Sequence, residues 1–216
     1  MVKAIIPCAG YGTRMGMKLN ESKETLIDPV THKYLIDYSL DLCHKYKIEP
    51  IVISRLEKED LNGYLRDKEV EHIVLKTPGK EWAETVLKSR GLWGDKNILI
   101  LPDTRFDEKA IPRMLDLLHE YDLVAAIHEI PAMDCDKWGI INRKEIWEKP
   151  AVINKNIKAH MKAWGLLGFT PKVGEFIFPS LNKGNWVELE RMAIAPSFVH
   201  LDKFIDITRS GTLEKY

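Results

Sequence analysis

Two glycines, an arginine and a lysine near the start of the chain have the types and spacing to hold phosphate. Residues 4–8 form an apolar run, read as a short buried strand. The run opens into Cys8-Ala-Gly-Tyr-Gly-Thr-Arg-Met-Gly, with Lys23 a little beyond it. Gly10 and Gly12 can take backbone angles closed to other residues and let the chain approach a ligand closely. Successive backbone N–H groups in such a loop make a concave seat for anions. Arg14 can add a forked pair of donors, and Lys23 a point charge. A strand, an N–H cradle and two cations describe a triphosphate site. An ordinary strand-to-helix turn with an exposed arginine would show the same loop.

Spacing tests two rival phosphate loops. The dinucleotide fingerprint Gly-x-Gly-x-x-Gly fails because Met15 holds the place of its third glycine. The P-loop pattern has no register in this segment. A second chemical signal lies at Ile98-Leu-Ile-Leu-Pro-Asp-Thr, an apolar strand that ends in Asp103. In an open parallel sheet ligands sit outside the carboxyl ends of strands. A carboxylate there suits Mg²⁺, which takes one or two carboxylates together with phosphate oxygens. Capping of the following segment is the other role open to Asp103, and Asp107 reads as a helix cap.

Several further stretches complete a resemblance. Gly10-Tyr-Gly-Thr-Arg-Met followed by Glu21-Ser-Lys-Glu-Thr-Leu-Ile resembles the Gly-x-Gly-Thr-Arg…Pro-Lys-x-Leu motif of the sugar-1-phosphate nucleotidyltransferases, with Ser22 in place of proline. Pro102-Asp-Thr stands where that family has Gly-Asp-Asn or Gly-Asp-Asp. Lys137-Trp-Gly-Ile-Ile-Asn and Ile146-Trp-Glu-Lys-Pro resemble its Tyr-Gly-Val…Glu-Lys-Pro pair, and Ala163-Trp-Gly-Leu-Leu-Gly-Phe its next acceptor-side strand. Lys203-Phe-Ile-Asp-Ile-Thr-Arg-Ser-Gly-Thr-Leu-Glu resembles the closing Asp-x-Gly-Thr-x-Glu stretch.

The resemblance implies nucleotidyl transfer from an NTP, dTTP or UTP above all, to a sugar 1-phosphate. Arg14 and Lys23 would neutralise the leaving pyrophosphate and the reacting phosphate, and Ala9, Gly10, Gly12 and Thr13 would hold the nucleotide. A looser match puts Gly79, Trp82 and Ala83 near the base, with a core anchor the other role for Trp82. Gly139, Glu148, Lys149, Trp164 and Gly165 would bind the acceptor, and Asp103 and Asp206 a Mg²⁺ ion. Glu188 falls near an acceptor-side glutamate of relatives. A cytidylyltransferase acting on phosphocholine or another non-sugar phosphate is the alternative, since Trp138, Trp147 and Trp164 could cage a cation. A nucleotide-binding subunit without turnover would be expected to have lost one of Arg14, Lys23, Asp103 or Asp206, and all four are present.

The elements that must position these residues follow from periodicity. Helices are expected over residues 34–46, 58–66 (a polar surface helix), 111–121 and 186–193 and after a turn within 78–90, compact apolar runs mark strands near 50–54, 71–75, 98–101 and 123–128, and the resemblance implies one over 163–169. The alternation predicts an α/β fold: one Rossmann-like domain over 1–216, with a mostly parallel central sheet of about seven strands flanked by helices. Long relatives continue into a left-handed β-helix or a helical tail, and this chain is expected to lack both.

Composition narrows the partners. Lys plus Arg and Asp plus Glu balance at 32 each, so no global field favours nucleic acid or an acidic membrane. Cys8, Cys43 and Cys135 lack metal-ligand spacing and read as buried thiols in a reducing compartment. No signal-like or membrane-length apolar segment opens the chain, and a soluble cytoplasmic protein is the expectation. Relatives make homo-oligomers common, but no interface is legible in the sequence.

Overall fold

The computed structural model describes residues 1–12, 16–28, 31–79, 81–150, 160–182 and 184–207. Four parallel strands form its first half: β1 (Val2–Pro7), β2 (Glu49–Arg55), β3 (His72–Leu75) and β4 (Lys96–Ile100), side by side in the order 3-2-1-4. α1 (Leu35–Tyr46), α2 (Glu59–Asp67) and α3 (Trp82–Leu87) make the crossovers between them. Strands covered on both faces read as continuous apolar runs, which is why residues 4–8 and 50–54 carried the strand signal.

Side-chain alternation divides the core into two layers. Ala4, Ile6, Val52, Ile98 and Ile100 face α1, α2 and α4 (Ala110–Leu117). Ile5, Ile51, Ile53 and Leu99 face α3 and α5 (Pro171–Ile177). Leu61 and Leu65 of α2 are fully buried, so this helix is amphipathic. The α/β class is borne out.

The second half widens the sheet. β5 (Thr104–Phe106) leaves the end of β4, and β6 (Leu123–Pro131) follows α4. β7 (Gly139–Ile141) and β8 (Glu145–Glu148) make a hairpin, then come β9 (His160–Phe169), β10 (Trp186–Glu188), β11 (Ser197–His200) and β12 (Phe204–Asp206). β9 runs antiparallel to β4, β6 and β7, and joins the two halves. Among the described residues ten strands form this sheet, against about seven expected, and only β8 and β9 oppose the common direction. The extra strands are pieces of three or four residues, too short to leave a period in the sequence.

One element is corrected. Residues 186–193 are not a helix: β10 pairs with β8, and a 3₁₀ turn Leu189–Met192 follows. Burial of Val187 between outward-facing Trp186 and Glu188 at the sheet edge overrides the helical spacing. Among the described residues no helix is long and apolar enough to cross a membrane.

Candidate active site

The site lies where the sheet topology says it should, beyond the carboxyl ends of β1 and β4. A cleft of about 340 Å³ opens there. Ala9, Gly10, Tyr11, Gly79, Glu81, Trp82 and Thr85 line one side of it. Lys137, Trp138, Gly139, Glu148, Lys149, Trp164 and Phe204 line the other, with Lys23, Asp103 and Asp206 also on its wall.

Lys23 opens a 3₁₀ turn, Lys23–Thr25, that is pinned from below by the start of α2. The hydroxyls of Ser22 and Thr25 donate to the two oxygens of Asp60, at 2.7 and 2.6 Å. Glu24 and Lys58, both buried, pair at 2.5 Å. Ser22, which replaces the proline of the resembled motif, thereby supplies a hydrogen bond in place of a rigid φ. The turn aims Lys23 Nζ at Asp103 Oδ2, 2.5 Å away. Burial would lower the ammonium's pKa, but the charges of Asp103 and Glu24 outweigh it and hold it up at about 12. Lys23 is a fixed cation at neutral pH.

Asp103 follows β4 through a turn in which the Thr104 hydroxyl donates to the Leu101 carbonyl at 2.8 Å. No helix starts here; the chain enters β5 instead, so Asp103 is not a cap. Asp107 accepts from the Lys109 N–H at 3.1 Å in the turn that leads into α4, but the N-cap of that helix is Lys109 and carries no side-chain cap, so Asp107 is not the cap expected of it. β5 pairs antiparallel with β12, setting Asp206 opposite Thr104. The Ile207 N–H donates to the Asp103 carbonyl at 2.9 Å. Two carboxylates about a hundred residues apart in sequence therefore reach the cleft on adjacent strands. Among the described residues no cluster of three or more His, Cys, Asp or Glu stands ready for a metal. Two hard carboxylates on the wall of one cleft are the sparse donor set that Mg²⁺ accepts, and they fit it.

The opposite wall is the β7–β8 hairpin. Glu148 is almost fully buried and pairs with Lys149 Nζ at 2.6 Å. Lys149 takes a left-handed backbone, φ 46°, and its N–H donates to the Trp138 carbonyl at 3.1 Å. That bond closes the open end of the hairpin and turns the lysine into the cleft. Gly139 is required by packing: a Cβ there would stand 2.2 Å from the Trp164 indole. Trp164 in turn meets Trp82 edge to face, 5.5 Å between ring centroids.

Three residues expected at the site do not line the cleft. Ala83 is fully buried on the core face of α3. Gly12 is absent from the lining; its φ of 63° serves the turn. Gly165 occupies a bulge of β9, skipped between the pairs Ala126–Leu166 and Ile127–Trp164, where a Cβ would strike the Phe204 ring at 2.3 Å. Glu188 also lies off the cleft and accepts from Arg191 Nε at 2.6 Å. Thr13 and Arg14 lie outside the described residues.

Other wall residues had no assigned role in the sequence reading. Phe204 stands two residues before Asp206 on β12, so period-2 alternation puts both on one face. Tyr11 is the variable residue between Gly10 and Gly12, and Glu81 and Thr85 belong to the start of α3. His128 is wedged between Trp138 (5.1 Å) and Phe204 (4.4 Å), and burial pushes its pKa down. It braces two wall aromatics.

With this geometry in hand, comparison with known proteins places the chain. The family model described as nucleotidyl transferase matches residues 3–206, and the chain belongs to that family. It is a nucleotidyltransferase enzyme, which bears out the resemblance read from the motifs. Solved structures share the fold at low identity. One is a UDP-glucose pyrophosphorylase complexed with UDP-glucose, 21% identical, TM-score 0.76, covering 99% of this chain and 97% of that one. Another, assigned as a glucose-1-phosphate thymidylyltransferase from Bacillus anthracis in complex with sucrose, is 19% identical, TM-score 0.75, covering 100% and 93%. A UDP-glucose pyrophosphorylase from Acinetobacter baumannii is 17% identical, TM-score 0.72, covering 99% and 92%. Among curated proteins no sequence match is found.

Proposed function

We propose that the protein transfers a nucleotidyl group from an NTP, dTTP or UTP in first place, to a sugar 1-phosphate, forming a nucleotide sugar and pyrophosphate. The observation that carries this reading is one cleft walled by the Gly10 loop, the Lys23–Asp103 pair, Asp206 and the Glu148–Lys149 pair. The names of the two kinds of structural neighbour support the choice of base and of glucose-type acceptor.

An oxygen of the acceptor phosphate attacks the α-phosphorus, and the bond to the bridging oxygen breaks as pyrophosphate leaves with the electron pair. The nucleophile is already ionised, so no general base is needed, and catalysis rests on positioning and charge neutralisation. Backbone N–H groups at Ala9 and Gly10 cradle the phosphates. Lys23 neutralises the reacting phosphate, Lys149 holds the acceptor phosphate, and Glu148 accepts hydrogen bonds from sugar hydroxyls. Trp82 offers its exposed edge on the base side. Arg14 is assigned to the leaving pyrophosphate from the sequence. Mg²⁺ held by Asp103 and Asp206 would supply neutralisation of phosphate oxygens. Cys8, Cys43 and Cys135 are buried and unpaired, which supports a reducing, cytoplasmic setting.

A second reading is favoured by one feature of the acceptor wall. Trp138 and Phe204 lie 5.8 Å apart beside Asp206, an aromatic and acidic setting that would also suit the cation of phosphocholine, with CTP as donor. Pyrophosphate release with Mg²⁺, measured over dTTP, UTP, CTP, ATP and GTP against sugar 1-phosphates and phosphocholine, separates the two. Signal with a sugar 1-phosphate is expected; signal with CTP and phosphocholine alone would replace the first reading by the second, and silence in every combination would end both.

A further inference from the structure

Below the glycine loop lies a charge that the proposed chemistry does not use. Arg55 is the last residue of β2, at the same carboxyl edge of the sheet as the cleft, and it is fully buried. Its Nη1 donates to Glu57 at 3.2 Å, while Nε and Nη2 have no hydrogen-bond partner among the described residues. A buried guanidinium with unpaired donors costs stability, and an apolar side chain of similar length would fit more cheaply. Such a residue is best explained by what it holds.

What it holds is Tyr11. The Arg55 guanidinium stacks on the Tyr11 ring, 4.5 Å from its centroid, and Tyr11 is at once a wall residue of the cleft and 45% exposed. Among the described residues the loop has one other side chain against it, Met17, which a Cβ on Gly12 would meet at 3.0 Å. A Cβ on Gly10 would meet nothing within 4 Å, and Gly12 has a left-handed φ of 63°. The base of the loop is tied to β2 by the Cys8 N–H, which donates to the Ile53 carbonyl at 2.7 Å. Two residues further along β2, Arg55 grips the ring of Tyr11. A cation over an aromatic face is strongest where the cation is desolvated, as here.

We propose that Arg55 is a positioning residue for nucleotide binding: through the Tyr11 ring it fixes residues 10–12 in the form that receives the triphosphate. This rests on the reading of the loop as the nucleotide seat. It makes stability and affinity move in opposite directions, which a purely structural arginine would not do.

The test is calorimetric binding of dTTP, UTP and CTP with Mg²⁺ and no acceptor, alongside thermal unfolding. Arg55→Met should keep or raise Tm while weakening NTP binding about tenfold, the scale of a desolvated cation–ring contact. Tyr11→Ala, at the surface, should reproduce the weakening, Tyr11→Phe should stay within about twofold, and the double variant should be no weaker than the worse single one. Arg55→Met binding NTP within about twofold of wild type would overturn the proposal, as would a loss that Tyr11→Ala does not share. Wild-type protein that binds none of the three nucleotides would overturn the nucleotide reading itself, a result distinct from either.

Discussion

Two lysine–carboxylate pairs face each other across the cleft, and they are built in opposite ways. Lys23 and Asp103 meet at 2.5 Å although 80 residues separate them, and each is delivered by a different loop of the parallel half. Glu148 and Lys149 meet at 2.6 Å as chain neighbours on an antiparallel hairpin, by means of a left-handed backbone at the lysine. The first pair depends on the turn around Lys23 being clamped to Asp60 and Lys58 and on the β5–β12 ladder. The second depends on a local turn and one backbone bond to Trp138. On the proposed roles, the pair assigned to the reacting phosphate is the one held by long-range contacts, and the pair assigned to the acceptor is the local one.

The largest effect expected from breaking this contrast is at Asp103. Asp103→Asn should lower turnover by about a hundredfold or more, because it weakens the hold on a Mg²⁺ ion whose neutralisation of phosphate oxygens would be worth several kcal/mol. Turnover within about threefold of wild type would end the metal assignment. At Lys149, Lys149→Gly relieves the positive φ and deletes the ammonium. Its acceptor KM should rise about tenfold or more with NTP affinity unchanged, the loss expected for one charge-assisted phosphate contact, while Tm falls because buried Glu148 loses its partner. A shift in NTP affinity instead would move Lys149 to the nucleotide side.

Gly139→Ala is a matter of packing: the new Cβ must displace Trp164, and unfolding free energy should fall by about 1–3 kcal/mol in denaturant titration. Alkaline titration sharpens the first pair. The ordinary lysine pKa of 10.5 is raised to about 12 in the fold, so the stability it contributes is fully present below about 10.5 and lost as pH rises through 12. Lys23→Met should flatten the fall in stability over that window, seen in Tm measured against pH; an unchanged profile would assign the fall to other groups. The smallest effect belongs to Glu188, which pairs with Arg191 away from the cleft. Glu188→Gln should leave acceptor KM within about twofold, and a larger change would return it to the acceptor wall.

What could be read from the chain follows the range of the interactions. Residues 4–8 announced β1 and its loop because a buried parallel strand needs an unbroken apolar run and a ligand loop needs glycine. The Glu148–Lys149 pair was legible because its members are adjacent. The helix expected over 186–193 was not found, since the edge of β8 decides that segment. Gly139 and Gly165 stood out as glycines, but that indole and phenyl rings demand them required three dimensions. Phe204 could have been found from its spacing to Asp206.

The sequence by itself determined the reaction class, the α/β alternation and the identity of the charged groups, because motif and periodicity are local properties. The tertiary structure alone decided that Asp103 sits against Lys23 and joins Asp206 on neighbouring strands. It also decided that Ala83 belongs to the core, and that an arginine at the end of β2 lies under the ring of Tyr11. Those facts depend on which strands become neighbours, and strand pairing is settled by the collective burial of the whole chain.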